Sequence, residues 1–142
     1  MKEKLVVAVD GSAPSQKGLE LAARLALALG LQLELVNVQP PVLLAPGVYA
    51  DAIRLVEQAH ARTSSEVLHA AANEVRRLGG GDVVTASLVG APAEAIADHS
   101  RGEEVWAVVV GAKGHSAVGR VLLGSVADRL VHICNRPVLV VR

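Results

Sequence analysis

Between Val108 and Leu130 the chain reads VVVGAKGHSAVGRVLLGSVADRL. Gly111, Gly114, Gly119 and Gly124 punctuate this passage, Lys113, His115 and Arg120 give it positive charge, and no acid appears before Asp128. Glycines let backbone N–H groups come close to a ligand and permit positive φ. A helix starting near Ser125 presents unpaired N–H groups and a partial positive charge. Together these features suit an anion, phosphate above all. Each charge-assisted hydrogen bond contributes about 1.5–3 kcal/mol, so a few can retain a polyphosphate. The plainer alternative is that the glycines only make turns, and that Ser125 and Asp128 are a helix-capping pair.

Two better-known phosphate motifs are absent. GHSAVGRV, Gly114 to Val121, approaches a P-loop, but Arg120 stands where lysine is needed and Val121 where serine or threonine would hold magnesium. No G-x-G-x-x-G occurs. The spacing that remains is Gly111-x2-Gly114-x9-Gly124-Ser125. A second candidate is Asp10 in VDGS. Its carboxylate would repel a triphosphate directly, yet it makes sense against hydroxyls or through a magnesium ion. Alternatively it caps the next helix with Ser12. Lys113 contacts phosphate or is simply solvated, and Arg120 faces solvent or a partner chain. The five histidines, at 60, 69, 99, 115 and 132, show no pair at metal-ligand spacing. No Ser-His-Asp arrangement follows from order alone. Asp128 is a cap by its spacing, and no acid near the glycines is placed to activate water, which argues against efficient hydrolysis.

These groups need elements to hold them. KLVVAVD reads as a short strand buried on both faces. The next helix has Ser12 to cap it, Pro14 in its first turn and Gly30 to end it. LQLELVNV is a second strand, and QPPVLLAPG is a loop. A long helix runs from Tyr49 to about Leu78, stopped by glycines 79 to 81. DVVTASLVG is a third strand, and APAEAIADHS a short helix with Pro92 in its first turn. EVWAVVVG is a fourth strand, followed by the glycine passage, a helix from about Ser125 to Cys134, and PVLVVR as a fifth strand. Strands separated by helices pair parallel through right-handed crossovers. The expectation is an α/β fold: an open five-stranded parallel sheet with helices on both faces, Rossmann-like, forming a single domain over 1–142. Ligands in such sheets sit outside the carboxyl ends of the strands, where VDGS and VGAKG lie.

Hydrophobic residues make up 51% of the chain, yet Phe is absent and Tyr49 and Trp106 are the only aromatics. The core must therefore be Leu, Val, Ile and Ala. Formal net charge is zero, so neither nucleic acid nor an anionic membrane is an expected partner. Cys134 is the only cysteine. It cannot form an internal disulfide and reads as a small core residue. MKEKLVVAVD is too short an apolar run for a signal peptide, and Leu19 to Leu31 falls short of a bilayer span. A cytoplasmic protein is expected.

Nearly the whole chain resembles the universal stress protein family, in its ATP-binding branch. VVAVDGS is similar to the family's first strand and turn, and GAPAEAI to its segment after strand three. GAKGHSAVGRVLLGSVADRL followed by RPVLVV resembles its nucleotide loop, helix and last strand. The resemblance implies strand order 3-2-1-4-5, ATP with Mg2+ as ligand, and a homodimer formed through the C-terminal strand, 137–142. It implies that Gly111, Gly114, Gly124 and Ser125 line the phosphates with the Val126 N–H, and that His115 lies where the loop backbone meets them. Lys113 is a further candidate there. Val38 and Val110 would flank adenine, and Asp10 would bind the ribose hydroxyls beside the Val9 backbone. For Val38 and Val110 plain core packing is the alternative. The implied role is a nucleotide-dependent stress sensor or switch with no catalytic residues. A nucleotide-free interaction protein and a slow ATPase or phosphotransferase are its rivals. AMP, ADP and cyclic AMP stay open as ligands.

Overall fold

The computed structural model describes residues 2–43, 45–47, 49–113 and 123–142. Among these residues nine elements follow one another: β1 (Lys4–Ala8), α1 (Ala13–Leu29), β2 (Gln32–Gln39), α2 (Ala50–Arg77), β3 (Val83–Val89), α3 (Pro92–His99), β4 (Val105–Gly111), α4 (Ser125–Ile133) and β5 (Val138–Val141). The sheet order is β3-β2-β1-β4-β5, and every neighbouring pair is parallel. This is the expected fold and strand order, with β5 at one edge.

Local chemistry explains the boundaries of α1. Ser12 is its N-cap, with its hydroxyl accepting from Ser15 N–H, and Gly30 closes it in the left-handed conformation at φ 69°. That conformation costs a glycine little. A different result appears at α4. Its N-cap is Gly124, not Ser125, and no side chain caps it. The expected Ser125–Asp128 capping pair is absent because the helix begins at Ser125, one residue earlier than that pairing requires. Cys134 is likewise the C-cap of α4 rather than its last turn, and it is half-buried.

Two cores lie on the two faces of the sheet. Leu5, Val7, Leu33, Leu35 and Val109 pack with α1 and α2. Val6, Val36, Val108 and Val110 pack with α3 and α4. Alternate residues of a strand point to opposite faces, so strands covered on both sides read as unbroken aliphatic runs. Burying each Leu or Val stabilises the fold by about 1.5–3 kcal/mol, and no described core residue is aromatic.

One charged group lies inside this frame. Glu34 on β2 is 7% exposed. Its Oε2 lies 2.9 Å from Lys4 Nζ, and its Oε1 lies 3.0 Å from His99 Nε2. A carboxylate only accepts, so His99 donates from Nε2. Burial works against the charged Glu34, but the bonds and charges of Lys4 and His99 outweigh it and hold its carboxyl below the ordinary range. A depressed pKa contributes stability above the unfolded value, near 4.3 for glutamate, and that stability is lost as pH falls through the folded value. Glu34→Gln should therefore destabilise the protein by about 1–3 kcal/mol at pH 7, with the gap to wild type closing below about pH 4. Urea unfolding at both pH values checks this; a gap that does not change with pH would refute it.

Candidate functional site

β1 occupies the centre of the sheet, and the chain leaves it towards β2 with α1 on one face. The α3 and α4 connections cover the other face. At such a switch point the strand ends part and leave a crevice. A cleft of about 180 Å³ opens there, beyond the carboxyl ends of β1, β2 and β4. It is lined by Val9, Asp10, Ser12 and Ser15 after β1, by Asn37 and Val38 at the end of β2, and by Val110, Gly111 and Lys113 at the end of β4. Gly124, Ser125 and Val126 close it at the start of α4.

Among the residues named from sequence, Val9, Asp10, Val38, Val110, Gly111, Lys113, Gly124, Ser125 and Val126 thus border one cavity. Gly114 and His115 lie outside the described residues, as do Gly119 and Arg120. The cavity also takes in Asn37, Ser15, Pro92 and Ile96, none of which the sequence reading placed at the site. Asn37 carried a usable mark, a lone amide inside the apolar run of β2. Pro92 and Ile96 carried none, since only the packing of α3 on the sheet brings them to the opening.

The α4 end of the cleft has the clearest electrostatic character. Gly124 N–H donates to Ala112 O at 2.6 Å, tying the helix start back to β4. The first intrahelical bond is Asp128 N–H to Gly124 O at 2.9 Å. The N–H groups of Ser125, Val126 and Ala127 therefore have no partner within the helix, and all three residues border the cleft. With no capping side chain in the way, these donors and the helix dipole favour an anion.

Asp10 lies at the other end. Its Oδ1 accepts from Ser12 N–H at 2.8 Å, and its own N–H donates to Ser15 Oγ at 3.1 Å. These bonds form a turn through Gly11, whose φ of 83° suits glycine. The local role offered for Asp10 at the start of α1 is real. It leaves Oδ2 without a hydrogen bond among the described residues, and the residue is exposed. Val9 turns its side chain into the core beside α1 and α2, so it meets the cleft through its backbone. Val38 and Val110 belong to the opposite face.

Positive φ is not what the described glycines of the Gly111–Gly124 passage supply. Gly124 has φ −59°, and Gly111 is not among the residues at positive φ. For Gly111 the reason is close approach: a Cβ there would lie 2.8 Å from the Pro14 carbonyl carbon and oxygen. The remaining histidines serve local ends where they are hydrogen-bonded. His99 holds Glu34, and His132 Nδ1 meets Asp128 O at 2.7 Å. Among the described residues no three His, Cys, Asp or Glu side chains come together as a metal site, and no helix is long and apolar enough to cross a membrane.

A 3-2-1-4-5 parallel sheet, with an uncapped helix start and an acidic turn facing each other across its switch point, defines a Rossmann-like α/β protein. Comparison with known proteins narrows the class. The family model described as Universal stress protein family matches residues 1–142, and the chain belongs to that family. A universal stress protein of Mycobacterium tuberculosis is 35% identical over 96% of this chain. The chain spans about half the length of that relative, 47%. The solved universal stress protein UspA from Lactobacillus plantarum superposes with a TM-score of 0.85 over 99% of this chain and 98% of its own, at 21% identity. A universal stress protein solved in complex with cAMP is 25% identical, with a TM-score of 0.75 over 99% of this chain and 97% of its own.

Proposed function

We propose that this protein binds ATP in the switch-point crevice, with Mg2+ accompanying the phosphates, and acts as a homodimeric, cytoplasmic sensor or switch in the stress response. The observation that carries the reading is the bare N-terminus of α4, with three N–H donors on the cleft and a carboxylate at the far end. A phosphate chain fits the donors, and a sugar diol fits the carboxylate. In this reading Gly111, Lys113, Gly114, His115, Gly124, Ser125 and Val126 surround the phosphates, Val38 and Val110 flank the base, and Asp10 takes the ribose beside the Val9 backbone. The relative solved with cAMP supports an adenine nucleotide as the class of ligand. Mg2+ keeps most of its waters and binds through phosphates. The homodimer would form through 137–142, where β5 is a four-residue edge strand that offers unpaired backbone groups.

Binding rather than turnover is the proposed activity, since the described cleft has no acid suited to activating water near the α4 donors. Calorimetric titration with ATP and Mg2+, together with a hydrolysis assay, tests this. Absence of binding removes the proposal, and turnover above roughly 1 s⁻¹, an ordinary enzyme value, replaces it with the ATPase or phosphotransferase alternative. Asp10→Ala should weaken ATP by about 10- to 100-fold while barely affecting inorganic triphosphate. Equal losses for the two ligands would rule out the ribose assignment.

A further inference from the structure

The crevice floor contains an irregularity in the β1–β2 ladder. In a parallel pair, one residue's N–H and C=O bond the two residues that flank its opposite number. Val9 N–H donates to Val36 O at 2.9 Å, so the Val9 carbonyl would next receive the N–H of Val38. It instead accepts from Asn37 Nδ2 at 2.8 Å. Val38 N–H makes no backbone hydrogen bond among the described residues. Nor does β3 take it up. Leu33 N–H donates to Asp82 O and Gly90 N–H to Gln39 O, which places the odd-numbered peptides of β2 on the β3 side and the Val38 peptide on the β1 side. Asn37 is 4% exposed. Its Oδ1 accepts from Gln39 Nε2 at 2.9 Å, so the amide oxygen is engaged and the NH2 group is left to face Val9.

We propose that Asn37 is a positioning residue: its amide takes the Val9 carbonyl in place of the Val38 N–H, holding the end of the ladder open so that the Val38 peptide faces the crevice as an unpaired donor beside an acceptor. A buried carbonyl needs a partner, and Asn37 supplies one without closing the strands. The edge it frees matches a ring that sets an acceptor next to a donor, as N1 and the 6-amino group of adenine do. Guanine reverses that order at N1–H and O6. This base selection rests on the nucleotide reading above; the opened ladder does not.

Amide hydrogen exchange followed by NMR on the ligand-free protein tests the ladder directly. Val38 should exchange at least about tenfold faster than Val36, which lies within the paired stretch. In Asn37→Ala the released carbonyl recovers the Val38 N–H, and the difference between the two amides should collapse. A wild-type Val38 as protected as Val36 overturns the proposal, as does an unchanged difference in the variant. Should Asn37→Ala not fold, the wild-type comparison decides alone. A second arm measures ATP and GTP affinities, whose ratio should fall at least about tenfold in Asn37→Ala; an unaltered ratio removes the base selection. Failure of ATP to bind wild type overturns the proposed function, and the exchange result still decides the role of Asn37.

Discussion

Gly124→Val should lower ATP affinity at least about 100-fold, the loss of roughly 2.7 kcal/mol, while the protein stays folded. Gly124 is the N-cap of α4 and borders the cleft. Its side-chain direction is the space where a capping side chain would otherwise compete for the first-turn N–H groups. An isopropyl group there would displace phosphate from the donors of Ser125, Val126 and Ala127, and losing two charge-assisted bonds accounts for about 3–6 kcal/mol. The fold tolerates the change because Gly124 has φ −59° and ψ 155°, a conformation open to any L-residue. Loss of an N-cap preference costs only about 1 kcal/mol. Titration calorimetry with circular dichroism reads both halves of the prediction. Unchanged affinity in a folded variant would mean that the phosphates do not sit at this helix.

Gly111→Ala should act in the opposite way, on stability first. The added methyl would meet backbone atoms of Pro14 at 2.8 Å, and backbone cannot swing aside as a flexible side chain can. Either α1 lifts from the end of β4 or the strand bends. Overpacking of this kind costs about 1–3 kcal/mol, a fall of roughly 3–10 °C in melting temperature for a chain of this size. The first turn of α1 also carries the hydrogen bonds that orient Asp10, so ATP affinity should drop as well. Thermal melting of the variant decides the matter. A melting temperature equal to wild type would show that α1 and β4 are further apart than the contact implies.

The two glycines illustrate what could be read in advance. Their positions were legible because glycine after a buried strand and before a helix is rare without cause. Their reasons were not. The expectation of positive φ fails at both, since φ is set by how the chain enters α4 and leaves β4. The need for glycine at Gly111 comes from Pro14, which lies on another element. Ser125 shows the same limit in miniature: Ser-x-x-Asp has the letters of a cap, but one residue of helical frame decides whether the hydroxyl or only the peptide N–H does the work. Asn37 is the converse case. A polar residue amid ELVNV stands out, yet its role depends on Val9, 28 residues away in sequence.

The linear order of residues was enough to specify the parallel α/β class and the caps of α1. Those features follow from short-range periodicity and turn chemistry, which neighbouring residues carry between them. The pairing of β1 with both β2 and β4, the meeting of Asp10 with the mouth of α4, and the opening of the ladder at Val38 arise only when distant segments pack. They depend on contacts between residues far apart in the chain, where local pattern carries no information about distance or direction.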